Sequence, residues 1–415
     1  MRLFKSKRKS EDISEYFLAV DTGTEFVKCL IFKRSGSSAE ILGKGIAAHT
    51  AGSMRGGMII NIPEVSKTIK LAIDLAIADL EVRPQNLIMS LPGDLVRSLV
   101  TTVHYHRSRP EAHLDATEIK NIAYKVQWKA YEQARLISAE ESEAGGNVDI
   151  KLISTSVIDT QIDGYKVNNP LGFQGSTVTL SIFNAFAPLV HLGALQAIAD
   201  ELDLDLISVT AGPYAMAKVL MGEVAMAIAV DIGASNTDVV VVNDGSVLGM
   251  QNFAFGGTAF SKELVAMRYS EEKVAQIKMD YAAGKLGKKI TKQLADRFKK
   301  VALVWAKGVA ATLNEFSHLD IIPNRVFITG GGSYIPEIKN ALMTKEWATG
   351  LPFTKKPYAA LMKLNNFPHI TLADGILVDA ADAVVLGLVQ LTLETDVEEN
   401  IVSAIVRRLV VSMQS

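Results

Sequence analysis

The 415-residue sequence has a single cysteine, Cys29. One thiol excludes an intrachain disulfide framework and points to a reducing compartment. Cys29 stands in an apolar strand pattern, where an inert buried thiol is the expected state. No run of about 18 consecutive apolar residues occurs, so no transmembrane helix is expected. The richest stretch, Gly375 to Leu391, is broken by Asp379 and Asp382. Net charge is nearly absent: 43 Lys and Arg against 45 Asp and Glu leave −2, which gives no electrostatic footprint for nucleic acid. The basic start MRLFKSKRKSED has no apolar segment behind it and does not read as a secretory signal. A glycine fingerprint between the first strand and a crossover helix is also missing, which argues against a dinucleotide fold.

What is present is core-forming material. Hydrophobic residues make up 48% of the chain and charged residues 21%, a soluble globular balance, and the length asks for about two to four domains. After a polar tail over 1–15, Tyr16 to Phe32 reads as a hairpin of two apolar strands, with a third strand over Ala39 to His49. Pro63 suits the first turn of a helix whose stripe is Val65, Ile69, Ala72, Ile73, Ala76, Ile77 and Leu80. A buried strand, Asn86 to Leu91, ends at Pro92-Gly93. The texture then changes. A strand LVTTVHYHR, a long helix opened by Asp115 with Glu118 at capping-box spacing, an acidic loop, two strands and a helix read as a small inset over about 93–205. After Met221 the opening grammar returns: strand, turn, strand, the hairpin signal Asn243-Asp244-Gly245, strand. Helices dominate from Gly256 to about Ser317, followed by a strand, a glycine turn and a helix in RVFITGGGSYIPEIKNAL. The chain is an architectural duplication with an inset.

The repeated phrases VDTGTEF and VDIGASNTD each end an apolar strand on an aspartate and then turn through small residues. Such turns can aim backbone N–H groups at phosphate oxygens, and glycine permits close approach. Asp21, Thr22, Gly23 and Thr24 form one turn, with Lys28 as a nearby cation; Asp231, Gly233, Ala234, Ser235, Asn236 and Thr237 form the other. Carboxylates repel phosphate unless a cation lies between, so Asp21 and Asp231 are the candidates for Mg²⁺, held through water. Asp238 is a further candidate for positioning metal or water. Gly330, Gly331, Gly332 and Ser333 would let backbone pass close to an adenosine. Taken singly, each turn also reads as an ordinary hairpin or a tight strand-to-helix loop.

VDTGTEFVKCLIF, VDIGASNTDVVVV, VFITGGGSYIP and ADAVVLGL resemble the two phosphate loops, the adenosine motif and the closing helix of the actin-like ATPase superfamily. Within it, GSMRGGMIINIPEV, IDGYKVNNPLGFQG, FGGTAFSKEL and EEKVAQIKMDYA resemble the FtsA family, over about residues 16–391. The resemblance implies an α/β, duplicated actin-like (ribonuclease H-like) fold with an inserted α+β SHS2 (1C) domain. It implies a basic tail (1–15), subdomain 1A (16–92 and 206–224), the inset (93–205), 2A (225–255 and 318–391), 2B (256–317) and a C-terminal amphipathic helix (392–415). It adds Gly256, Gly257 and Lys278 to the ATP-binding set, with ATP or ADP and Mg²⁺ as cofactors and at most a slow ATPase activity. It implies an adaptor on the inner face of the plasma membrane that polymerises and tethers FtsZ, whose C-terminal peptide would dock at 2B. GASNTD departs from the family's glycine-richer loop and keeps a PilM-like adaptor of type IV pilus assembly open as the alternative. A small-molecule kinase on the same fold would need a substrate base that no motif supplies.

The last stretch, VEENIVSAIVRRLVVSMQS, has Ile401, Val402, Ile405, Val406, Leu409 and Met413 on one side at helical spacing. With Arg407 and Arg408 it reads either as an interfacial membrane anchor or as a terminal helix docked on protein. The basic N-terminus offers a second contact with anionic lipid or is a solubilising tail.

Overall fold

The computed structural model describes residues 15–78, 80–140, 148–220, 225–243, 245–316, 318–364, 367–394 and 402–406. The N-terminal tail and, of the C-terminal candidates, Ile401, Arg407, Arg408, Leu409 and Met413 lie outside the described residues.

The chain opens with β1 (Tyr16–Thr22), β2 (Phe26–Ser35), β3 (Ser38–Ala48), the short pair β4 (Met54–Arg55) and β5 (Met58–Ile59), α1 (Ile62–Ile77) and β6 (Asn86–Leu91). Next come β7 (Arg97–His106), α2 (Ala116–Glu140), β8 (Ile150–Ile162), β9 (Tyr165–Lys166), β10 (Thr177–Pro188) and α3 (Leu189–Glu201). The chain returns through β11 (Asp205–Ala211) and α4 (Gly212–Lys218). The second half is β12 (Met226–Ile232), β13 (Thr237–Asn243), β14 (Ser246–Phe253), α5 (Thr258–Ala266), α6 (Glu271–Ala282), α7 (Lys288–Asn314), β15 (Arg325–Thr329), α8 (Pro336–Leu342), β16 (Tyr358–Leu361), β17 (Ile370–Leu372) and α9 (Ala383–Leu393).

The duplication is visible strand by strand. One sheet runs β11-β6-β1-β2-β3-β17 and the other β14-β13-β12-β15-β16. In each, three antiparallel strands are extended by two parallel ones: β1 pairs β6 and β6 pairs β11, while β12 pairs β15 and β15 pairs β16. Parallel central strands are covered on both faces and need near-continuous apolar runs, which LAV in β1 and IAV in β12 supply. The edge strand β17 crosses over from the second half to pair with β3, a contribution the sequence pattern does not announce.

Local signals hold the elements in place. Asn61 caps α1 by accepting from the Glu64 amide at 3.2 Å, and Pro63 sits in the first turn. Asp115 likewise accepts from the Glu118 amide at 2.8 Å. The Glu118 carboxylate does not close the capping box; it forms a two-pronged pair with Arg107 at 2.9 Å for each bond. Arg107 is buried at the end of β7, and its guanidinium needs that charge more than the helix end does. The inset strands form a separate sheet, β7-β10-β8-β9. α3 turns away from that sheet: Leu195, Ile198 and Ala199 join the core of the first half, and Ser66 donates to Glu201 at 2.7 Å.

Two cores result. One joins the first sheet, α4, α9 and the inner face of the second sheet; the other lies between the second sheet and α5, α7 and α8. α4 and α9, one from each half, pack backbone to backbone. A Cβ on Gly387 would collide with the Ala215 carbonyl. Gly387→Ala should therefore destabilise the protein by about 1–3 kcal/mol. Gly193, in α3 with open space around it, should show the reverse on Gly193→Ala, a gain of about 0.5–1 kcal/mol. Denaturant unfolding of both variants checks the pair.

Candidate functional site

The two halves meet where β1 and β12 end. In the first turn the Gly23 amide donates to the Phe26 carbonyl at 3.0 Å; in the second the Gly233 amide donates to the Asn236 carbonyl at 3.0 Å. The two glycine amides are thus spent on closing the turns. The amides of Thr24, Ala234, Ser235 and Asn236 have no backbone acceptor among the described residues. The turns face one another, and the Thr24 and Ser235 hydroxyls lie 3.1 Å apart although 211 positions separate them.

Register places the charges. Asp21 pairs with Lys28 across β1 and β2, and Asp231 pairs with Asp238 across β12 and β13. Equivalent positions of the duplication thus carry a cation in one half and an anion in the other. Ser90, at the end of β6, donates to Asp21 at 2.6 Å. Lys28 donates its ammonium to the Ala381 carbonyl, and its charge acts on both Asp21 and Asp231. The next cation, Lys44, is paired with buried Asp382 at 2.5 Å. Asp94, two residues beyond Pro92, completes the acidic set; its Oδ1 and that of Asp238 are buried without a hydrogen-bond partner.

Burial raises all four carboxyls. Asp231 and Asp94 are pushed up to about 6 by desolvation; Asp21 rises for the same reason, against the pull of Lys28 and Ser90. Asp238 goes well above the ordinary carboxylate value, through desolvation and then the charges of Asp231, Asp94 and Asp21. No three acidic, histidine or cysteine side chains converge closely enough to chelate a metal among the described residues. The orphaned oxygens of Asp94 and Asp238 nevertheless suit a hydrated cation, and Mg²⁺ keeps several of its waters. Asp21, Asp94, Asp231 and Asp238 are the side chains that would hold it through those waters.

Backbone comes close where glycine allows it. A Cβ on Gly330, whose φ is +80°, would strike Asp231, and one on Gly93 would strike Asp238. Gly256 and Gly257 lie under the second turn: the Gly257 and Thr258 amides each donate at 2.8 Å, to the Gly233 and Ala234 carbonyls. Thr237 is fixed from behind, accepting from buried Trp305 at 2.8 Å and donating to the Phe255 carbonyl at 2.6 Å. Gly331, Gly332 and Ser333 begin a tight helical turn after β15, closed by Ser333 donating to the Gly330 carbonyl at 2.6 Å. Thr22 is buried and donates to the Ser90 carbonyl at 3.3 Å, so it braces β1 against β6. Lys278 sits partly exposed on α6.

No family model matches the chain. It is 20% identical over 271 residues to the cell division protein FtsA of Streptococcus pneumoniae, a match covering 64% of this chain and 56% of that protein. The chain therefore spans about half the length of the curated relative it matches. A solved PilM–PilN type IV pilus biogenesis complex superposes with a TM-score of 0.63 at 15% identity, over 91% of this chain and 98% of that one. The fold is that of the actin-like ATPases. The ethanolamine utilization protein EutJ of Carboxydothermus hydrogenoformans is also similar, with a TM-score of 0.49 at 14% identity over 90% of this chain and 89% of that one.

In this actin-like cleft the sequence motifs yield Asp21, Lys28, Asp231 and the three glycine turns. They miss Asp94, Ser90, Asn252 and Trp305. Asn252 donates to the Gly93 carbonyl at 3.0 Å, tying β14 of the second half to the loop of the first. Only the duplication itself offers a signal for Asp94: a second-half Asp238 with no cation opposite asks what faces it.

Raised carboxyls make stability depend on pH in a definite sense. The folded pKa of Asp94 and Asp231 lies above the unfolded value of 3.8, so folding takes up protons between that value and about 6. Stability should then fall as pH rises through this window. Asp238→Asn should remove part of the repulsion, and each kcal/mol relieved should raise the metal-free thermal midpoint by about 1 °C for a chain of this length. Calorimetry at pH 5 and 7.5 tests both statements.

Proposed function

We propose that this chain is an ATP-binding, FtsA-like polymerising adaptor that tethers FtsZ filaments to the cytoplasmic membrane. One observation carries the nucleotide part: two Asp-x-Gly turns from duplicated halves face each other, their Thr24 and Ser235 hydroxyls 3.1 Å apart, with amides that have no backbone acceptor among the described residues and with partnerless oxygens of Asp94 and Asp238 nearby. In this reading the amides of Thr24, Ala234, Ser235 and Asn236 receive phosphate oxygens, and Lys28 offsets their charge. Mg²⁺ between phosphate and carboxylates neutralises the cleft when bound. The glycine turn after β15 lets backbone lie against the adenosine. Because ligands to one site come from both halves, the nucleotide would bias their relative position and hence a filament-competent state. The FtsA part is supported by the similarity to the pneumococcal protein. FtsZ at 2B, self-association and the anionic membrane surface are parts of the same proposal. The inset is read as an SHS2 domain.

A second reading, a PilM-like adaptor of pilus assembly, is favoured by a specific feature. A cavity of about 380 Å³ lies between the inset and the first half, walled by Ser154, Thr155 and Ser156 of β8 and by Ile207, Ser208 and Thr210 of β11. β11 is an edge strand; the Ala211 amide at its end is taken by Ser154 at 3.2 Å, and the outer backbone groups before it would accept an extended peptide.

Titration calorimetry with ATP tests the nucleotide claim. Lys28→Ala should weaken binding at least ten-fold with or without Mg²⁺. Asp231→Asn should weaken it only when Mg²⁺ is present, because it removes a metal-side carboxylate and relieves repulsion otherwise. Absence of ATP binding by the wild type at millimolar nucleotide and Mg²⁺ would overturn the proposal. An FtsZ C-terminal peptide and a pilus-partner N-terminal peptide, titrated into the Mg-ATP form, separate the two roles.

A further inference from the structure

The C-terminal helical turn over 402–406 does not stand apart from the body. Val402 and Val406, four residues apart and so on one face, are each 1% exposed. They complete an apolar cluster with Ile119 and Ile122 of α2 and Val178 and Leu180 of β10. α2 leans on β7 and β10 and only lightly on β8, which leaves the β8 side of that sheet face for another element. The turn fills it: Val402 borders a residual cavity of only about 10 Å³ together with Thr160 of β8. Ile405 packs on the rim of the cluster, while Ser403 and Val406 also wall the larger cavity below.

We propose that this segment is an intramolecular latch. The groove between α2 and β8 is a docking site whose occupant is the chain's own C-terminal segment. While the segment is docked, Val402 and Val406 are withheld from any other apolar surface. These residues belong to the apolar side that a membrane anchor would use, so docking and membrane insertion exclude one another. The exclusion of the membrane rests on the membrane contact proposed above; the groove and its occupant do not. A partner that favours the free segment shifts the balance only by its preference for that state.

The test uses full-length proteins and a fluorescent peptide of residues 395–415. Val402→Asp with Val406→Asp empties the groove from the tail side and keeps the inset intact. This variant should bind the peptide at least ten-fold more tightly than the wild type, whose groove is filled. Thr160→Trp fills the groove from the β8 side and leaves the tail sequence untouched. Its expected result is at least ten-fold tighter association with phosphatidylglycerol vesicles than the wild type, and the double aspartate variant should show no such gain. Equal peptide binding by wild type and double variant, or none by the double variant, would overturn the latch. Peptide binding as expected with no vesicle gain for a natively folded Thr160→Trp would keep the latch and refute the membrane contact. The peptide arm stands by itself if the tryptophan disturbs folding.

Discussion

Buried like charge is the constraint on which the cleft depends. Asp21 and Asp94 come from the first half, Asp231 and Asp238 from the second, and burial raises every one of them. An unpaired carboxylate away from water is costly, and several close together are costlier. Lys28 acts on Asp21 and Asp231, while Asp94 and Asp238 each keep an oxygen without a partner. Protons taken up at the raised carboxyls offset this charge, and in the Mg-nucleotide reading proposed above a hydrated cation would offset it instead. Since the carboxylates are divided between the halves, a cation held as proposed would contact both.

The duplication explains both the symmetry and its breaking. The two sheets repeat one strand order, and the two turns repeat one hydrogen bond at 3.0 Å. What differs is the residue opposite the turn aspartate, Lys28 in one half and Asp238 in the other. A pair of identical halves would place two like sites face to face. Here one half contributes the cation and the other the surplus carboxylate, which gives the cleft a direction. The α4–α9 contact at Gly387 holds one helix from each half at backbone distance from the other.

Much of this was legible in the sequence because it is local. Apolar runs that stop at Asp, Pro63 near a helix start and the glycine turn after β15 all signal through near neighbours. The parts that were not legible depend on distant partners. Glu118 has the spacing of a capping box, yet Arg107 claims its carboxylate because a buried guanidinium outweighs one helix-end amide. β17 pairs with β3 across more than 300 positions, and no periodicity of a three-residue strand foretells its partner. Asp94 follows Pro92-Gly93, which locally reads as nothing more than the end of a strand. Gly23 and Gly233 look like phosphate-facing amides, but hairpin closure uses them first.

The C-terminal segment shows the same limit of local reading. Helical spacing of Val402, Ile405 and Val406 establishes an apolar side and leaves open what that side meets. A membrane interface and a protein groove reward the same pattern, since both remove the same side chains from water. The choice is set by what the rest of the chain offers. The inset offers a sheet face that α2 covers only in part, lined by Thr160, Val178 and Leu180. An uncovered apolar face beside a free apolar helix would leave two surfaces in water; docking removes both at once. Any membrane contact by this segment must therefore exceed the groove's claim on it, which makes the strength of that claim a property of the inset and not of the tail.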